Sequence, residues 1–439
     1  MRTNLLETYS RQLKVAEAYV AKNFDGKTVS ANTQLTTAVL LDNTNRWMTE
    51  SMNSSMVAGG QRSDLGDWKK FCLNLTNIAV PSLIANDLVI VHPMTSYSGS
   101  VAYLKYVAAT DKGDMAGRTL NSVFAHGEMD EARINYASPV VVETLEAGSE
   151  GNVALAFTAV ENGFGEGKTY KVNGAYVASY TPKAGDKVAY KSAEFQMDHV
   201  PATQIPSIAP KMERIALVAE PRRIAVKYDQ ITAFQAKTDY GFSLDKQIAE
   251  QACGELAYEI DTEIVDMLYK AAFARPERVE FNKAQPIGVS KFEHYNAFLE
   301  VVEEAKAIIY KRTRKFHPNY MVIGSNVLPV LRFVNGFTAV KNAKMNGPYK
   351  VGELDGLDVY VSPAIAEDEF FFGLNGSDMM SSAGVYAPYM AIVPTQLLGT
   401  PDGALQQGFS TWYAKALLND LLLVGGKIVN TKQDLEVEG

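Results

Sequence analysis

One long helix is the feature of this 439-residue sequence that most constrains its fold. Ser243 suits a helix N-cap and Pro276 must end the helix, which predicts a helix over 243–275. At 1.5 Å per residue such a helix is roughly 45 Å long, whereas the average helix has only ~11 residues. Apolar residues recur every four positions, at Leu244, Ile248, Ala252, Leu256, Ile260, Ile264 and Leu268. Because a helix turns every 3.6 residues, this stripe drifts around the axis, so its partner surface must run obliquely across it.

The N-terminal part of the chain has weaker patterns of secondary structure. Residues 1–75 are mixed and polar with only partial helical spacing, which predicts a weakly structured arm with a loop-like stretch at 47–66. Leu88–Val91 is a continuous apolar run, typical of a strand that is buried on both faces. Strand character returns at 212–235, just before the long helix.

A glycine-rich segment between these strands predicts a small antiparallel β subdomain at about 138–197. Its clearest signal is Asn173-Gly174 between two β-type runs, because this pair tolerates the positive φ angles of a two-residue hairpin turn. Gly163–Thr169 has the appearance of a phosphate-binding loop, but Asn162 stands where that motif needs a glycine. The chain after Thr169 is typical of a strand rather than of the helix that would cradle a phosphate. The glycines therefore indicate a turn and no cofactor site.

The second half of the chain alternates helical and strand patterns in an α/β rhythm. Ser290 and Glu293 form a predicted capping box for a helix that runs to about Arg312. Asn319–Gly324 predicts a buried strand, and Asn326 is expected to cap a shorter helix that ends near Gly336. Further strands are expected at 357–361, 369–374 and 385–393.

Composition and motifs exclude several classes of function. A net charge of −8 offers no bulk basic surface for nucleic acid, and the one dense basic run, Lys311–Lys315, suits the C-terminal end of a helix. No apolar run is long enough for a membrane span or a secretory signal. The histidines are scattered and Cys72 and Cys253 stand far apart, so we predict a reducing compartment and no metal site. No catalytic motif is present in the sequence, which predicts a protein that is not an enzyme and needs no cofactor.

Four short segments follow one another along the chain. They are Pro81–Asp87 with His92–Met94 and Gly99, then Leu217–Val226 leading into Asp239–Gly241, then Asn319–Val327, and finally Gly384–Tyr389 with Gly408–Phe409. In this order they resemble the major capsid proteins of large contractile-tailed bacteriophages, the myovirus type. The sequence departs from the family pattern at His92 and Tyr97, where family members usually carry Gln and Pro.

The resemblance implies an α+β fold class and the lambdoid tailed-phage major capsid fold. The resemblance divides the chain into six regions. The first three are an N-terminal arm at 1–75, peripheral-domain strands and the start of the extended loop at 76–110, and the extended loop with the inserted β subdomain at 111–215. The last three are the peripheral domain with the spine helix 243–275 at 216–289, the axial domain at 290–395 and a return to the peripheral domain at 396–439. An over-long helix and a long β excursion fit this fold, because neighbouring subunits can bury them.

The resemblance also implies the function and the partners. The chain is expected to self-assemble into hexamers and pentamers of an icosahedral head shell that encloses a double-stranded DNA genome without sequence-specific binding. The expected partners are copies of itself, a scaffold, a head protease, a portal and decoration proteins, and no membrane. The expected place is the virion capsid, assembled in the cytoplasm of the host bacterium.

Two sets of residues are candidates for functional contacts. The side of the long helix opposite the apolar stripe is acidic, with Glu250, Glu255, Glu259, Asp261 and Glu263. Arg222 and Arg223, on the strand that leaves the extended loop, are predicted to pair with Glu255 and Glu259 of a neighbouring subunit; an ordinary surface charge cluster is the alternative. Leu5-Leu6-Glu7 fits the short context in which head proteases of this family cut, which predicts processing after Glu7.

Three other functions stay open from the sequence. A bacterial nanocompartment shell shares the implied fold but would enclose an enzyme cargo. The β subdomain is a candidate for binding glycans, because aromatic side chains stack on sugars, although such residues on strands more often form a core. These aromatic residues are Phe157, Tyr170, Tyr176, Tyr180 and Tyr190. An enzyme is the third choice.

Overall fold

The computed structural model describes residues 2–23, 29–53, 83–110, 140–144, 170–172, 175–177, 187–191, 206–239, 241, 244–313, 315–340, 347–395, 398–399 and 404–430. The chain divides into two compact units. Unit 1 comprises Met1–Val101, Ile215–Tyr310 and Phe316–Gly439, and unit 2 comprises Ala102–Arg214 and Lys311–Lys315.

The described helices differ greatly in length. In chain order they are α1 (Arg2–Thr8), α2 (Ser10–Asn23), α3 (Ala31–Asn53), α4 (Ala85–Leu88), α5 (Gln230–Asp239), α6 (Leu244–Phe273), α7 (Lys291–Asn296), α8 (Phe298–Thr313) and α9 (Leu328–Leu331). The predicted long helix is therefore confirmed as α6, which has 30 residues.

The described strands range from 2 to 14 residues in length. They are β1 (Ile90–Val91), β2 (Ser98–Ala108), β3 (Val140–Thr144), β4 (Tyr170–Val172), β5 (Ala175–Val177), β6 (Lys187–Lys191), β7 (Ile208–Val218), β8 (Glu220–Asp229), β9 (Val279–Asn282), β10 (Tyr320–Ile323), β11 (Thr338–Ala339), β12 (Tyr349–Leu354), β13 (Leu357–Val361), β14 (Glu369–Gly373), β15 (Gly384–Pro394), β16 (Leu398–Gly399), β17 (Ala404–Leu417) and β18 (Val424–Val429).

The described residues of unit 1 form two sheets. The first has the strand order β1-β15-β17-β16, with β8 also paired to β17. In this sheet β1 runs parallel to β15, and the other pairs are antiparallel. The second sheet has the order β11-β12-β13-β10-β14-β18-β9, with β10 parallel to β13 and β18 parallel to β9. Both are mixed sheets, and together with the helices they give an α+β architecture.

The second sheet separates two hydrophobic cores. Successive side chains of a strand point to opposite faces, so Phe370 and Phe372 contribute to one core and Phe371 to the other. Phe298 of α8 packs edge-on against Phe370 with 5.4 Å between ring centroids. On the other face, Tyr320 packs edge-on against Phe371 at 6.4 Å. All five rings are almost fully buried, which confirms the predicted buried strand at β10 and explains the three successive phenylalanines of β14.

The long helix α6 crosses from one core to another. Its first half packs against the first sheet, where Ala252 and Leu256 meet Ile392 and Phe409. Its second half joins the core between the helix and the second sheet through Ile260, Ile264, Val265, Leu268 and Ala272. The drifting apolar stripe therefore has the oblique partner that the spacing predicts.

Helix α5 was not expected from the sequence. The strand character at 212–235 ends at Asp229, and residues from Gln230 onwards form a helix with exposed Ile231 and Phe234. These two large apolar side chains are three positions apart, which is helical spacing, but both are exposed, so no buried stripe marks the helix in the sequence.

The N-terminal segment is helical, so the prediction of a weakly structured arm is wrong for the described part. The loop-like stretch at 47–66 begins inside α3, and residues 54–66 lie outside the described residues. The hydroxyls of Thr37 and Thr44 donate to the backbone carbonyls of Thr33 and Leu40, one helical turn earlier. This bonding lets polar residues stay buried in α3, so the helix lacks the apolar stripe that sequence analysis looks for.

The predicted strand at Leu88–Val91 is wrong in its first half. Residues Ala85–Leu88 form the helical turn α4, and only Ile90–Val91 pair with the sheet. The cause is Asp261, whose carboxylate accepts hydrogen bonds from the backbone N–H groups of Ile84 at 3.2 Å and Ala85 at 2.9 Å. A carboxylate at that place caps a helical turn, although it comes from a distant part of the chain.

The sequence patterns in the second half of the chain predicted the structure more accurately than those in the N-terminal part. Ser290 and Glu293 form the predicted capping box at the start of α7, and a break at Ala297 divides the predicted helix into α7 and α8. The cap predicted at Asn326 is wrong, because its amide instead donates to Glu367 and Asp368 at 3.3 and 3.0 Å. Helix α9 therefore begins without a side-chain cap.

The described residues of unit 2 include the greater part of a two-stranded ribbon of β2 and β7, which begins in unit 1, and a four-stranded antiparallel sheet. The sheet order is β3-β6-β4-β5, which confirms strands at the place of the predicted β subdomain. β4 and β5 pair in the register of a two-residue hairpin, from Tyr170 opposite Val177 to Val172 opposite Ala175. Asn173-Gly174, the segment Gly163–Thr169 and the proposed sugar-stacking side chains lie outside the described residues and side chains.

Candidate assembly surfaces

Glu263, in the middle of α6, is the centre of a charge cluster in unit 1. Strand β8 brings Arg222 to the helix, and Nη2 of Arg222 donates to Oε1 of Glu263 at 2.8 Å. Strand β17 adds Lys415, with Nζ 2.8 Å from the same oxygen, and Tyr413, whose hydroxyl donates to Oε2. Nη1 of Arg222 also lies 3.2 Å from Glu220. The cluster ties the long helix to two strands of the first sheet.

The electrostatics of the cluster favour its charged form. Burial alone would raise the pKa of Glu263, but hydrogen bonds from Arg222, Lys415 and Tyr413 outweigh burial and lower that pKa to about 2. Burial and the hydrogen bond to Glu263 raise the pKa of the Tyr413 hydroxyl. One carboxylate thus faces two cations at neutral pH, and the arrangement stabilises the subunit.

The two predicted contact arginines have different surroundings. Arg222 is held by Glu263 of its own subunit and is only partly exposed. Arg223 is exposed, and its guanidinium carbon lies 5.8 Å from the centroid of the Trp412 ring. Alternation along β8 explains the difference, because neighbouring side chains point to opposite faces of the sheet.

The two predicted contact glutamates lie on the open side of α6. Glu255 and Glu259 are exposed, and neither forms an ion pair with any residue in the described ranges. The structure therefore does not join them to Arg222 or Arg223 within one subunit. Because the predicted contact is between two subunits, it stays a prediction.

Glu7, the predicted processing position, is exposed on α1. The preceding Leu5 and Leu6 are half-buried, and the following Tyr9 is buried with its hydroxyl 3.4 Å from Asp42 of α3. Proteases bind extended chains, so a cut after Glu7 requires local unwinding of α1. Processing stays a prediction.

The sequence pattern predicts that Asp261 and Glu263 belong to the exposed acidic side of the long helix, and this is wrong for Asp261. Asp261 is buried under α4, and Glu263 is half-buried beside Arg222. The groups that bind Asp261 lie 176 and 177 residues away in the chain, and those that bind Glu263 lie 41, 150 and 152 residues away. No local pattern distinguishes these acids from Glu255 or Glu259.

Within the described ranges, no group of three or more His, Cys, Asp and Glu side chains is arranged to hold a metal ion. None of the helices described there is sufficiently long and apolar for a membrane span. What the described chain does offer is rigid mixed sheets, a long helix with an open charged face and an extended ribbon.

Residues 65–436 match the family described as Major capsid protein Gp23, and the chain belongs to that family. The major capsid protein of Escherichia phage AR1 is 22% identical over 403 residues, which cover 82% of this chain and 77% of that protein. The major capsid protein of Enterobacteria phage T4 is 21% identical over 417 residues, with the same coverage. A solved structure from Microbacterium phage Oxtober96 aligns with a TM-score of 0.42 and 11% identity over 79% of this chain and 91% of that one.

Family membership confirms the resemblance to myovirus-type major capsid proteins, and the described helices and sheets confirm the α+β fold class. The protein is a structural component of the virion capsid and forms the phage head shell with copies of itself. It is not an enzyme, as the sequence predicted. We therefore favour the head-shell function over the nanocompartment-shell and glycan-binding functions.

Proposed function

We propose that copies of this chain assemble into hexamers and pentamers, which close into an icosahedral head around a double-stranded DNA genome. The observation that carries the proposal is the match to the Gp23 family across residues 65–436. Rings of five and six subunits form when each subunit uses the same two complementary surfaces, one for each neighbour.

The regions of the chain have separate roles in this proposal. Residues 1–75 form the N-terminal arm, 111–215 form an extended loop that lies over a neighbouring subunit, and 290–395 form the axial domain around the symmetry axis. Residues 216–289 and 396–439 build the peripheral domain, and 76–110 supply further strands of that domain and the start of the extended loop. The open face of α6 supports this arrangement, because Glu255 and Glu259 are exposed there.

The proposed contact between neighbours includes Arg223 of one subunit and Glu255 and Glu259 of the next. Arg222 supports this contact from within its own subunit, because its bond to Glu263 fixes β8 against α6. The exposed side chain of Arg223 supports the proposal, since it is available without unfolding of the subunit.

The remaining proposed partners take part in assembly of the head. A scaffold, a head protease, a portal and decoration proteins act with the shell, and assembly takes place in the cytoplasm of the host bacterium. The packaged DNA is enclosed without sequence-specific contacts, because a net charge of −8 gives no bulk attraction to phosphates.

The proposal is tested by negative-stain electron microscopy and light scattering on the purified full-length chain, with and without a co-expressed scaffold and head protease. Rings of five or six subunits, tubes or closed shells are the expected result. A monodisperse monomer or dimer under every condition would contradict the proposal.

A further inference from the structure

Two Asn-Gly pairs lie wholly within the described residues of this chain, and their surroundings are opposite. One is Asn335-Gly336, in the turn between α9 and β11, and the other is Asn375-Gly376, between β14 and β15. Asparagine is a chemically labile residue, and a following glycine has no side chain to keep the asparagine away from its backbone nitrogen. The pairs that begin at Asn162, Asn173 and Asn346 include residues outside the described ranges.

The pair Asn335-Gly336 is open to solvent. Both residues are exposed, and no atom lies within 4 Å of the place where a Cβ of Gly336 would stand. The φ of Gly336 is +89°, a conformation that favours glycine at this position of the turn. The N–H of Gly336 makes no hydrogen bond with any described residue. The turn is held beside it, where the N–H groups of Phe337 and Asn335 donate to the carbonyl of Val334 and the side-chain oxygen of Asn296 at 3.4 and 2.7 Å.

The pair Asn375-Gly376 is enclosed. The N–H of Gly376 donates to the carbonyl of Ser381 at 3.0 Å, and the side-chain amide of Asn375 donates to the carbonyl of Asp87 at 2.9 Å. A Cβ on Gly376 would overlap Oγ of Ser381, so no free space surrounds this glycine. The side chain and the backbone nitrogen of this pair each have another partner, and they approach each other only if the segment opens locally.

We propose that Asn335 is a site of spontaneous deamidation, with the backbone nitrogen of Gly336 as the nucleophile and water as the co-reactant. The nitrogen gives its proton to hydroxide and forms a bond to Cγ of Asn335, which closes a succinimide ring. The bond between Cγ and Nδ2 breaks, and Nδ2 takes a proton from water and leaves as ammonia. A water molecule then adds to one of the two ring carbonyls and opens the ring.

The ring opens in two ways, and each product carries one more negative charge than asparagine. Cleavage between the ring nitrogen and Cγ gives aspartate with the original backbone. Cleavage between the ring nitrogen and the backbone carbonyl carbon gives isoaspartate, whose main chain runs through Cβ and Cγ and is one atom longer. Direct hydrolysis of the side chain by water gives aspartate alone, so isoaspartate is diagnostic of attack by the nitrogen of Gly336.

The two products differ in their effect on the turn. Asn335 is exposed, so the carboxylate of either product stays in water and the fold tolerates it. The longer main chain of isoaspartate, in contrast, lies between Val334 and Phe337, whose backbone hydrogen bond closes the turn. The modification therefore changes the charge and the shape of this surface without a change in the core. The reaction needs only the folded subunit and water, so its test does not depend on assembly.

Site-resolved peptide mapping by mass spectrometry on the purified full-length chain tests the proposal. Residue 335 should gain about 1 Da, yield both aspartate and isoaspartate, and react faster in mildly alkaline than in mildly acidic buffer, because Gly336 must lose a proton. Residue 375 should react about tenfold or more slowly, because its segment must open first. Equal rates at the two sites, or aspartate alone at residue 335, would overturn the proposal.

The same chain unfolded in urea is the matched control for the effect of the fold. Both pairs then lose their folded surroundings, so their rates should agree within about threefold. Folding should thus slow the reaction of Asn375 and leave that of Asn335 nearly unchanged. If unfolding accelerated Asn335 by about tenfold or more, the folded turn would protect this residue and the proposal would be wrong.

Asn335→Gln tests the assignment to this residue. Glutamine keeps an amide on the exposed turn, but its longer side chain requires a larger ring, so the gain in mass should disappear from this peptide. Circular dichroism should show the unfolding temperature of the wild type, because the side chain is exposed. Asn335→Asp supplies the reference for the aspartate product. A gain in mass that persists in Asn335→Gln would place the modification at another residue and overturn the proposal.

Discussion

Asp261 and Glu263 stand two positions apart on α6 and stabilise opposite sides of it. Two steps along a helix rotate a side chain by about 200°, so one carboxylate turns into the subunit and the other towards the first sheet. Asp261 caps α4 through the backbone N–H groups of Ile84 and Ala85. Glu263 instead receives hydrogen bonds from two cations and a tyrosine. Each carboxylate organises a different tertiary contact of the same helix.

Glu263→Gln should destabilise the unassembled subunit by about 2 kcal/mol at pH 7, because Arg222 and Lys415 lose their carboxylate. The folded pKa of Glu263, about 2, lies below its ordinary value of 4.5, so folding favours the ionised group. Its stabilisation is present above about pH 4.5 and is lost as the pH falls towards 2. Urea unfolding at a series of pH values measures both effects.

The difference between wild type and Glu263→Gln should accordingly shrink as the pH falls from 7 to 3. Asp266→Asn is the matched control on the same helix, since it breaks only an exposed pair with Lys270 and should cost about 0.5 kcal/mol or less. A Glu263 variant whose deficit stays constant down to pH 3 would show that the carboxylate charge is not what stabilises the cluster.

Arg223→Glu tests the predicted contact between subunits. Because Arg223 is exposed, the subunit should keep its folding stability to within about 0.5 kcal/mol, while a like charge facing Glu255 and Glu259 of a neighbour lowers assembly yield severalfold. Light scattering at two salt concentrations measures the yield. Lys427→Glu provides an exposed charge reversal on another strand. Equal assembly yields for wild type and Arg223→Glu would show that Arg223 does not make the predicted contact.

At the scale of secondary-structure elements, α3 packs over a register shift in the first sheet. Strand β15 shifts register against β17 between Pro388 and Met390, which leaves backbone groups without a regular strand partner. The buried amide of Asn43 donates to the carbonyls of Tyr389 and Met94, both at 2.8 Å. Leu40 of the same helix packs against Ala391. Polar and apolar contacts thus attach the N-terminal helix to the sheet.

Asn43→Ala should weaken this attachment, because two carbonyls lose their donor at a buried site. We expect a loss of about 2 kcal/mol in global stability, or faster proteolysis of α3 if the helix detaches locally. Asn45→Ala, two positions further along on the same helix, removes only a long bond to Tyr9 and is the control. If both variants were cut at the same rate, Asn43 would not be what holds α3.

Several elements were predicted correctly because their signals are local. The capping box of α7 needs residues only three apart, and β10 is an apolar run that any flanking layers would bury. The N-terminal helices, α4 and α5 were missed because distant groups stabilise them or because they lack a buried stripe. A sequence pattern predicts an element well when residues within that element, and not distant groups, stabilise it.

At the scale of the whole molecule, processing after Glu7 would remove most of α1 but would leave Tyr9, whose hydroxyl donates to Asp42 of α3. We expect mature particles made with the head protease to begin at Thr8, and intact-mass spectrometry of those particles measures this. Glu7→Gln is the matched variant, since it should keep the uncut mass while leaving the helix intact. Particles that retain Met1 in both preparations would exclude processing at this position.

The sequence by itself determined the long helix, the buried central strand, the hairpin strands, the absence of catalytic motifs and the family resemblance, because each depends on residues close together in the chain. The tertiary structure decided which acids of α6 are buried, which arginine is already paired, and where the N-terminal helices attach. Glu255, Glu259, Asp261 and Glu263 are equivalent in the local sequence, and only the strands and turns folded against them make them different. Contacts between residues tens to hundreds of positions apart follow from the packing of whole layers, and a local pattern carries no information about them.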